Sequence, residues 1–348
     1  MPPNRRPGEI PTGAKPTERS FVTDQTLSSS GHLASGAPPS IFRGGKQAAD
    51  ATFRGVLFAC GALVLVVLGA ILVQLFFGGL PILVAEGLDF FTSSEWNPVT
   101  DRYGAVVMLY GTLVTAVIAV VIGVPVSFGI AFFLTEVAPI PVRRPIGTAI
   151  QLLAAVPSII FGMWGFFVVA PLMAEWVEPV LAAVFSPIPV IGILFSGAPM
   201  GTGILTAGLI LALMIVPFMS AMFVEIIESV PGVLKEAAYG VGSTTAEVFR
   251  HVSVPYGRTA LVGGIMLGLG RALGETMAVT FVIGNANRIK ASLFAPGASI
   301  ASTIANEFPE AGPGSLKLNA LLELGFTLFV ISFLVLALAR WLVRSRLD

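Results

Sequence analysis

The stretch GVLFACGALVLVVLGAILVQLFF, residues 55–77, decides the fold class: 23 consecutive residues carry no charge and only one strongly polar side chain, Gln74. A hydrocarbon core about 30 Å thick is crossed by ~20 such residues at helical rise. In lipid every backbone N–H and C=O must bond within its own segment, so an apolar run of this length is a helix. It is also too long for a barrel strand.

Working outward, five more apolar runs of similar length follow: roughly residues 104–134, 146–174, 204–224, 259–283 and 318–339. The fifth carries Arg271 and Glu275, and the sixth carries Glu323 near its start. The expected class is therefore all-α, a polytopic membrane protein of six transmembrane helices. Composition agrees, since 55% of the 348 residues are hydrophobic and only 11% charged, against about 25% in a soluble domain.

Residues 1–50 are different material, rich in Pro, Gly, Ser, Thr and Arg without periodicity, and read as a disordered cytoplasmic tail. The tail is too long and polar for a secretory leader, and residues 55–77 are too long for a leader's apolar region. Residues 51–348 form the transmembrane domain.

Lys and Arg concentrate on the inner side of short loops. With the N-terminus inside, 15 fall inside, four outside (Arg102, Arg288, Lys290 and Lys317) and one, Arg271, within a span. Both termini are thus expected inside. The uncharged stretch 179–224 has room for an extra helix at about 180–195. Pro187, Pro189 and Pro199 with four nearby glycines break regular helix, and a full crossing would invert the loop after span four. An outer loop or re-entrant segment is the preferred reading.

The net charge is zero, so no basic excess points to nucleic acid and no acidic excess to cation buffering. Cys60 stands alone and His32 and His251 lie far apart, which leaves no disulfide, zinc or haem ligand set. Pro125, Pro157 and Pro217 are read as ordinary intramembrane prolines. Two G-x-x-x-G pairs, Gly264 with Gly268 and Gly270 with Gly274, suggest that span five packs closely against another helix.

Arg271 and Glu275 are the sharpest anomaly, because a charge at mid-bilayer costs about 2.5–3.5 kcal/mol even on the mildest insertion scale. Four residues apart on a helix, they share a face and can neutralise each other. The functional alternative is a water-filled path in which Arg271 offers its fork to an oxyanion while Glu275 holds that fork in place. Thr276 and Thr280 lie near that face and could add hydroxyl donors, or bond back to their own helix.

The loop between spans four and five, about 229–256, contains EAAYGVGSTTAEVFRHVSVP from Glu236 to Pro255. It reads as a short amphipathic helix, a break at Gly240 and Gly242, and a second helix that Ser243 or Thr244 caps with Glu247. Such a helix pair is either a docking surface or a plain polar connector.

In this loop the spacing of Glu236, Ala237, Ala238, Gly242, Val252, Val254 and Pro255 resembles the coupling motif of ABC-importer permeases. The following GGIMLGLGRALGETMAVTFVIGN, residues 263–285, resembles the PstC-type permease subunits of phosphate importers, within the binding-protein-dependent transport family. Sulfate and molybdate permeases share a similar R-A-L-G-E core, and the T-M-A-V-T that follows favours phosphate. The likeness covers residues 53–346 and leaves the tail unassigned.

What the resemblance implies is half of a transport path in the bacterial cytoplasmic membrane. It implies a homologous second permease subunit (PstA type), two cytoplasmic ATPase subunits (PstB type) and an extracytoplasmic phosphate-binding protein (PstS type). ATP and Mg would be bound by the ATPase subunits; no cofactor is expected in this chain. The loop would sit in a groove of one ATPase, and Arg271 would be the phosphate-path arginine with Glu275 beside it.

No G-x-x-x-x-G-K-[ST] occurs, and GGKQ at residues 44–47 lacks the hydroxyl and a preceding strand. No Asp or His lies in any apolar run and no Ser has a base beside it, which disfavours a bond-making enzyme acting through Glu275. A stand-alone channel or secondary transporter is the alternative of a different class, and the coupling loop argues against it.

Overall fold

The computed structural model describes residues 43–189 and 191–344, with side chains from 50 to 341. The expected tail lies almost wholly outside them. The chain divides into two units, 1–63 and 64–348. In the first, the described residues are helical and their side chains from 50 onward are almost all exposed.

Among the described residues, six helices are long and apolar enough to cross a membrane. Helix α1 runs Arg43–Glu86, its apolar part Asp50–Glu86. A short hairpin follows, β1 (Trp96–Asn97) antiparallel to β2 (Arg102–Tyr103). Helix α2 is Val106–Phe132 and ends in a widened turn at Phe133–Val137. Next come α3 (Ile140–Ala154), α4 (Ser158–Phe185) and α5 (Ile204–Glu228). After them lie α6 (Gly232–Gly240), α7 (Thr245–Leu273), α8 (Met277–Val282), α9 (Ile300–Glu307) and α10 (Leu316–Arg344).

Two boundaries differ from the sequence reading. Span three was expected at 146–174 and lies instead at Ser158–Phe185. The apolar run is split by Ala155–Pro157, where Pro157 takes an extended conformation that ends one helix and opens the next. The preceding α3 buries no side chain and carries Arg143 and Arg144. Span five was expected unbroken at 259–283, but its helix ends at Leu273 and resumes only at Met277. The stretch 180–195 is no extra crossing: α4 ends at Phe185 and one short turn, Ile191–Leu194, follows.

Helix α5 is the most enclosed of the six, with Ile210, Leu211, Ile215, Met219 and Phe223 fully buried. It packs on α2 more extensively than any other pair, and Phe128 meets Phe223 with ring centroids 4.5 Å apart. The first G-x-x-x-G pair faces this helix. A Cβ on Gly264 would come within 3.0 Å of the Phe223 ring, and one on Gly268 within 2.5 Å of Met219 Sδ. The second pair does not seat a helix closely, since a Cβ on Gly270 would meet Leu336 at 3.6 Å and one on Gly274 would meet only the Gly270 carbonyl of its own helix.

A second core gathers Ile82, Phe90, Trp96, Tyr103, Met108, Ile300, Leu321 and Leu324. It ties the hairpin to α9 and α10. The Trp96 indole N–H donates to both Glu307 carboxylate oxygens at 3.0 and 3.1 Å, and Lys317 pairs with Glu307 at 3.2 Å. The Tyr103 ring meets Trp96 edge-on at 4.9 Å and its hydroxyl donates to Asp101 Oδ1 at 3.3 Å. Burial, with the Asp101 carboxylate beside it, pushes the Tyr103 phenol up to about 12.

Candidate functional site

The break in span five organises the residues expected to line a path. Gly274 closes α7 through its N–H to the Gly270 carbonyl at 3.2 Å, and Glu275 and Thr276 are non-helical. Arg271 therefore stands in the last turn of α7, where a cation is favoured by the carbonyl end of the helix. Glu275 accepts the Ala278 N–H at 3.3 Å through Oε1, within the first turn of α8. The reading of Arg271 and Glu275 as neighbours on one continuous helix is thus corrected: each charge meets a helix end, and among the described residues no carboxylate lies within ion-pair distance of Arg271.

Arg271 is exposed, with its guanidinium 5.8 Å from the centroid of the Phe218 ring on α5. That contact orients the fork at low cost and leaves its donors available. Thr276 makes one long contact, 3.5 Å to the Gly274 carbonyl, and Thr280 donates to the Thr276 carbonyl at 2.7 Å. Thr280 is therefore committed to its own backbone. The Asn285 amide extends this line by donating to the Thr280 carbonyl at 3.0 Å.

The break is held from the side by α9 and α2. The Ser299 and Ser302 side chains cap α9 reciprocally, and the Ile300 N–H donates to Thr112 Oγ1 on α2 at 3.0 Å. A Cβ on Gly111 would collide with the Ala298 carbonyl, so only glycine permits this approach.

The coupling-motif residues form a second cluster. Glu236 and Ala237 are exposed on α6, with Ala238 half-buried. The turn between α6 and α7 passes through Gly242 at φ +90°, a conformation that L side chains rarely adopt. Thr244 and Glu247 complete the capping box: the Glu247 N–H reaches Thr244 Oγ1 at 3.4 Å, and the Thr244 N–H reaches Glu247 Oε2 at 2.8 Å. Val252 and Val254 are half-buried and Pro255 exposed.

The loop's second helix is not separate from span five. Helix α7 runs from Thr245 to Leu273, with one widened turn at Phe249–Ser253, so Pro255 and Arg271 lie about 24 Å apart along one helix at 1.5 Å per residue. The structure does not bring the two clusters together in space; it joins them by a rod. Helix α6 is tied to span two by Lys235 Nζ, 2.7 Å from Glu136 Oε1.

Two buried acids were not singled out as site residues by the sequence reading. Glu178 on α4 is fully buried and accepts the Gly201 N–H at 3.1 Å, pinning a turn at φ +73°. Glu323 on α10 is buried against Gly79, and its Oε2 has no hydrogen-bond partner among the described residues. Isolated acids in apolar sequence were the available signal, but exposure cannot be read from periodicity when a helix is apolar all round.

Residues 123–347 match the family described as binding-protein-dependent transport system inner membrane component. The chain is 53% identical over 299 residues to the phosphate transport system permease protein PstC of Mesorhizobium japonicum, covering 86% of this chain and 91% of that protein. It is 54% identical over 280 residues to the protein of the same name from Pasteurella multocida, covering 80% and 87%. Among solved structures, a bacterial ABC transporter involved in import of the acidic polysaccharide alginate matches with TM-score 0.51 at 15% identity, over 86% of this chain and 99% of that one. That likeness concerns the fold.

Proposed function

This chain belongs to the binding-protein-dependent transport family as an inner-membrane permease component, and we propose that it carries inorganic phosphate into the cell as half of an ATP-driven path. The observation that carries the substrate is the identity to phosphate permeases named PstC, with the R-A-L-G-E-T-M-A-V-T run intact at Arg271–Thr280.

In this reading the exposed guanidinium of Arg271 faces the path and offers a charge-assisted fork to the phosphate oxygens. Glu275 acts as a positioning residue by holding the first turn of α8. Thr276 and Thr280 line the break, with Thr280 shaping the backbone. Both termini and the α6–α7 loop lie inside, as the excess of Lys and Arg supports.

A homologous permease subunit completes the path, two ATPase subunits bind ATP and Mg, and a binding protein delivers phosphate outside. Glu236, Ala237, Ala238 and Gly242 present α6 to an ATPase groove. Val252, Val254 and Pro255 lie at the root of α7, so a displacement of the loop is delivered along that helix to Arg271 as a rigid-body motion.

The test is labelled phosphate uptake with excess sulfate as competitor, in cells lacking this chain and supplied with wild type or Arg271→Gln at matched membrane levels. Wild type is expected to restore sulfate-insensitive uptake and the variant to abolish it. Equal rescue by both refutes the role of Arg271, and failure of wild type to restore labelled phosphate uptake refutes phosphate as substrate.

A further inference from the structure

The loops after α4 and α8 form an open cavity of about 380 Å³, lined by Ser196, Met200, Arg288, Lys290, Ser292 and Phe294 among others, with Arg288 and Lys290 exposed to it. We propose that this cavity is an oxyanion-binding site at the outer mouth, distinct from Arg271, where inorganic phosphate is held before it enters the path. The proposal rests on the reading of the chain as a phosphate permease with this end outside.

The charge balance is its first support. Neither segment 186–203 nor segment 284–299 contains an Asp or Glu, so Arg288 and Lys290 have no counter-charge on either wall. Neither forms an ion pair among the described residues. Lys317, at the same end of the molecule, shows the contrast: it is neutralised by Glu307 at 3.2 Å and Glu310 at 3.8 Å. Two like charges two residues apart on one loop repel, and a low-dielectric concavity strengthens their field toward an anion.

The walls are also built rather than loose. The Leu293 N–H donates to the Leu194 carbonyl at 2.8 Å, joining the two loops, and the Leu205 N–H donates to the Leu293 carbonyl at 2.9 Å. Phe195 stacks on Phe185 at 4.8 Å and meets Phe294 edge-on at 5.9 Å. Tyr110 donates its hydroxyl to the Lys290 carbonyl at 3.4 Å, and the Arg288 N–H donates to the Ala286 carbonyl at 2.9 Å. Both cation-bearing residues thus have anchored backbones.

The polar groups suit a tetrahedral oxyanion. Ser292 Oγ accepts the Phe294 N–H at 3.2 Å, which leaves its O–H to donate into the cavity. A guanidinium fork, an ammonium and a hydroxyl supply donors and no competing acceptor charge. The cavity wall is also joined to the break in span five through the backbone: segment 284–299 leaves α8 directly, and the Gly297 N–H returns to the Ile283 carbonyl at 2.9 Å.

The experiment is competitive acylation of Lys290, followed by mass spectrometry, in the assembled transporter in lipid nanodiscs. Inorganic phosphate replaces chloride at constant ionic strength, without binding protein. Phosphate is expected to slow modification of Lys290 severalfold, Arg288→Gln to abolish that protection, and Arg288→Lys to retain part of it. Equal rates in phosphate and chloride overturn the proposal. So does protection given by the binding protein alone, which would make the cavity a protein-docking patch.

Labelled uptake by the same transporter in liposomes, with binding protein outside and ATP inside, separates the two readings. Phosphate uptake without protection removes the cavity site and keeps phosphate as substrate. Uptake of sulfate and protection by sulfate, with neither for phosphate, removes phosphate as substrate and with it the proposed phosphate site.

Discussion

Replacing Lys235 by Met tests how the α6–α7 loop is fastened to the transmembrane core. Lys235 immediately precedes Glu236, and its Nζ lies 2.7 Å from Glu136 Oε1 in the widened turn that ends span two. At an effective dielectric of about 20, unit charges at that distance attract by ~6 kcal/mol before desolvation and side-chain ordering are subtracted. Exposed pairs net about 0.2–1 kcal/mol, and stranding one partner of a buried pair costs about 3–5 kcal/mol.

With side chains exposed 20% and 7%, this pair falls between those limits, so Lys235→Met should weaken docking of α6 by about 1–3 kcal/mol. Each 1.4 kcal/mol is about tenfold in an equilibrium, which puts the loss of seated loop at roughly 5- to 150-fold in equilibrium constant. The assay is ATP hydrolysed per phosphate taken up by the reconstituted transporter. Hydrolysis should persist while uptake falls. Glu136→Gln should do the same, and the charge exchange Glu136→Lys with Lys235→Glu should recover part of the coupling. If both single variants couple normally and the double-mutant cycle gives less than about 0.3 kcal/mol, the pair does not fasten the loop and the reasoning is wrong.

Four further outcomes follow from packing and charge. Gly268→Ala should lower the melting temperature, because its Cβ would sit 2.5 Å from Met219 Sδ, an overpacking cost of about 1–3 kcal/mol. Gly270→Ala, whose Cβ would meet Leu336 at an ordinary 3.6 Å, should leave it unchanged or raise it. Glu323→Gln removes a buried carboxyl whose Oε2 is unpartnered among the described residues, so the melting temperature of the variant should equal or exceed that of wild type. The fold holds the Tyr103 phenol protonated up to about 12, above its ordinary 10.0. That contribution is complete below pH 10 and is lost as pH rises toward 12, so the stability gap between wild type and Tyr103→Phe should narrow over that window in thermal melts.

Much of the fold was legible before any coordinates because a bilayer imposes one requirement on length and another on charge. Residues 55–77, 204–224 and 318–339 satisfy both without tertiary help, and each lies within an observed helix. The capping of α7 by Thr244 and Glu247 was equally legible, since a capping box is a contact over three residues. Span three was misplaced by about a dozen residues at its start because Ile146–Ala154 is apolar enough to join the run, and only Pro157 marks the division.

The candidate site was legible by residue type and not by arrangement. Arg271 and Glu275 stood out because ions in apolar sequence are costly. Their geometry followed from a helix assumed to continue, and Gly274 ends it. Arg288 and Lys290 entered the sequence reading only as outer-side charges, because a sequence does not display that two acid-free loops line one concavity with them.

By itself, then, the sequence determined the number and kind of spans, the polar loop between spans four and five and the identity of the intramembrane ions, all of which depend on local composition and spacing. Tertiary structure decided which glycines seat a helix, which acids are buried and how Lys235 finds Glu136 across 99 residues. It also made the loop's second helix and span five one rod. These depend on which side of an all-round apolar helix meets a neighbour, and hydrophobic periodicity carries no record of that when nearly every side is apolar.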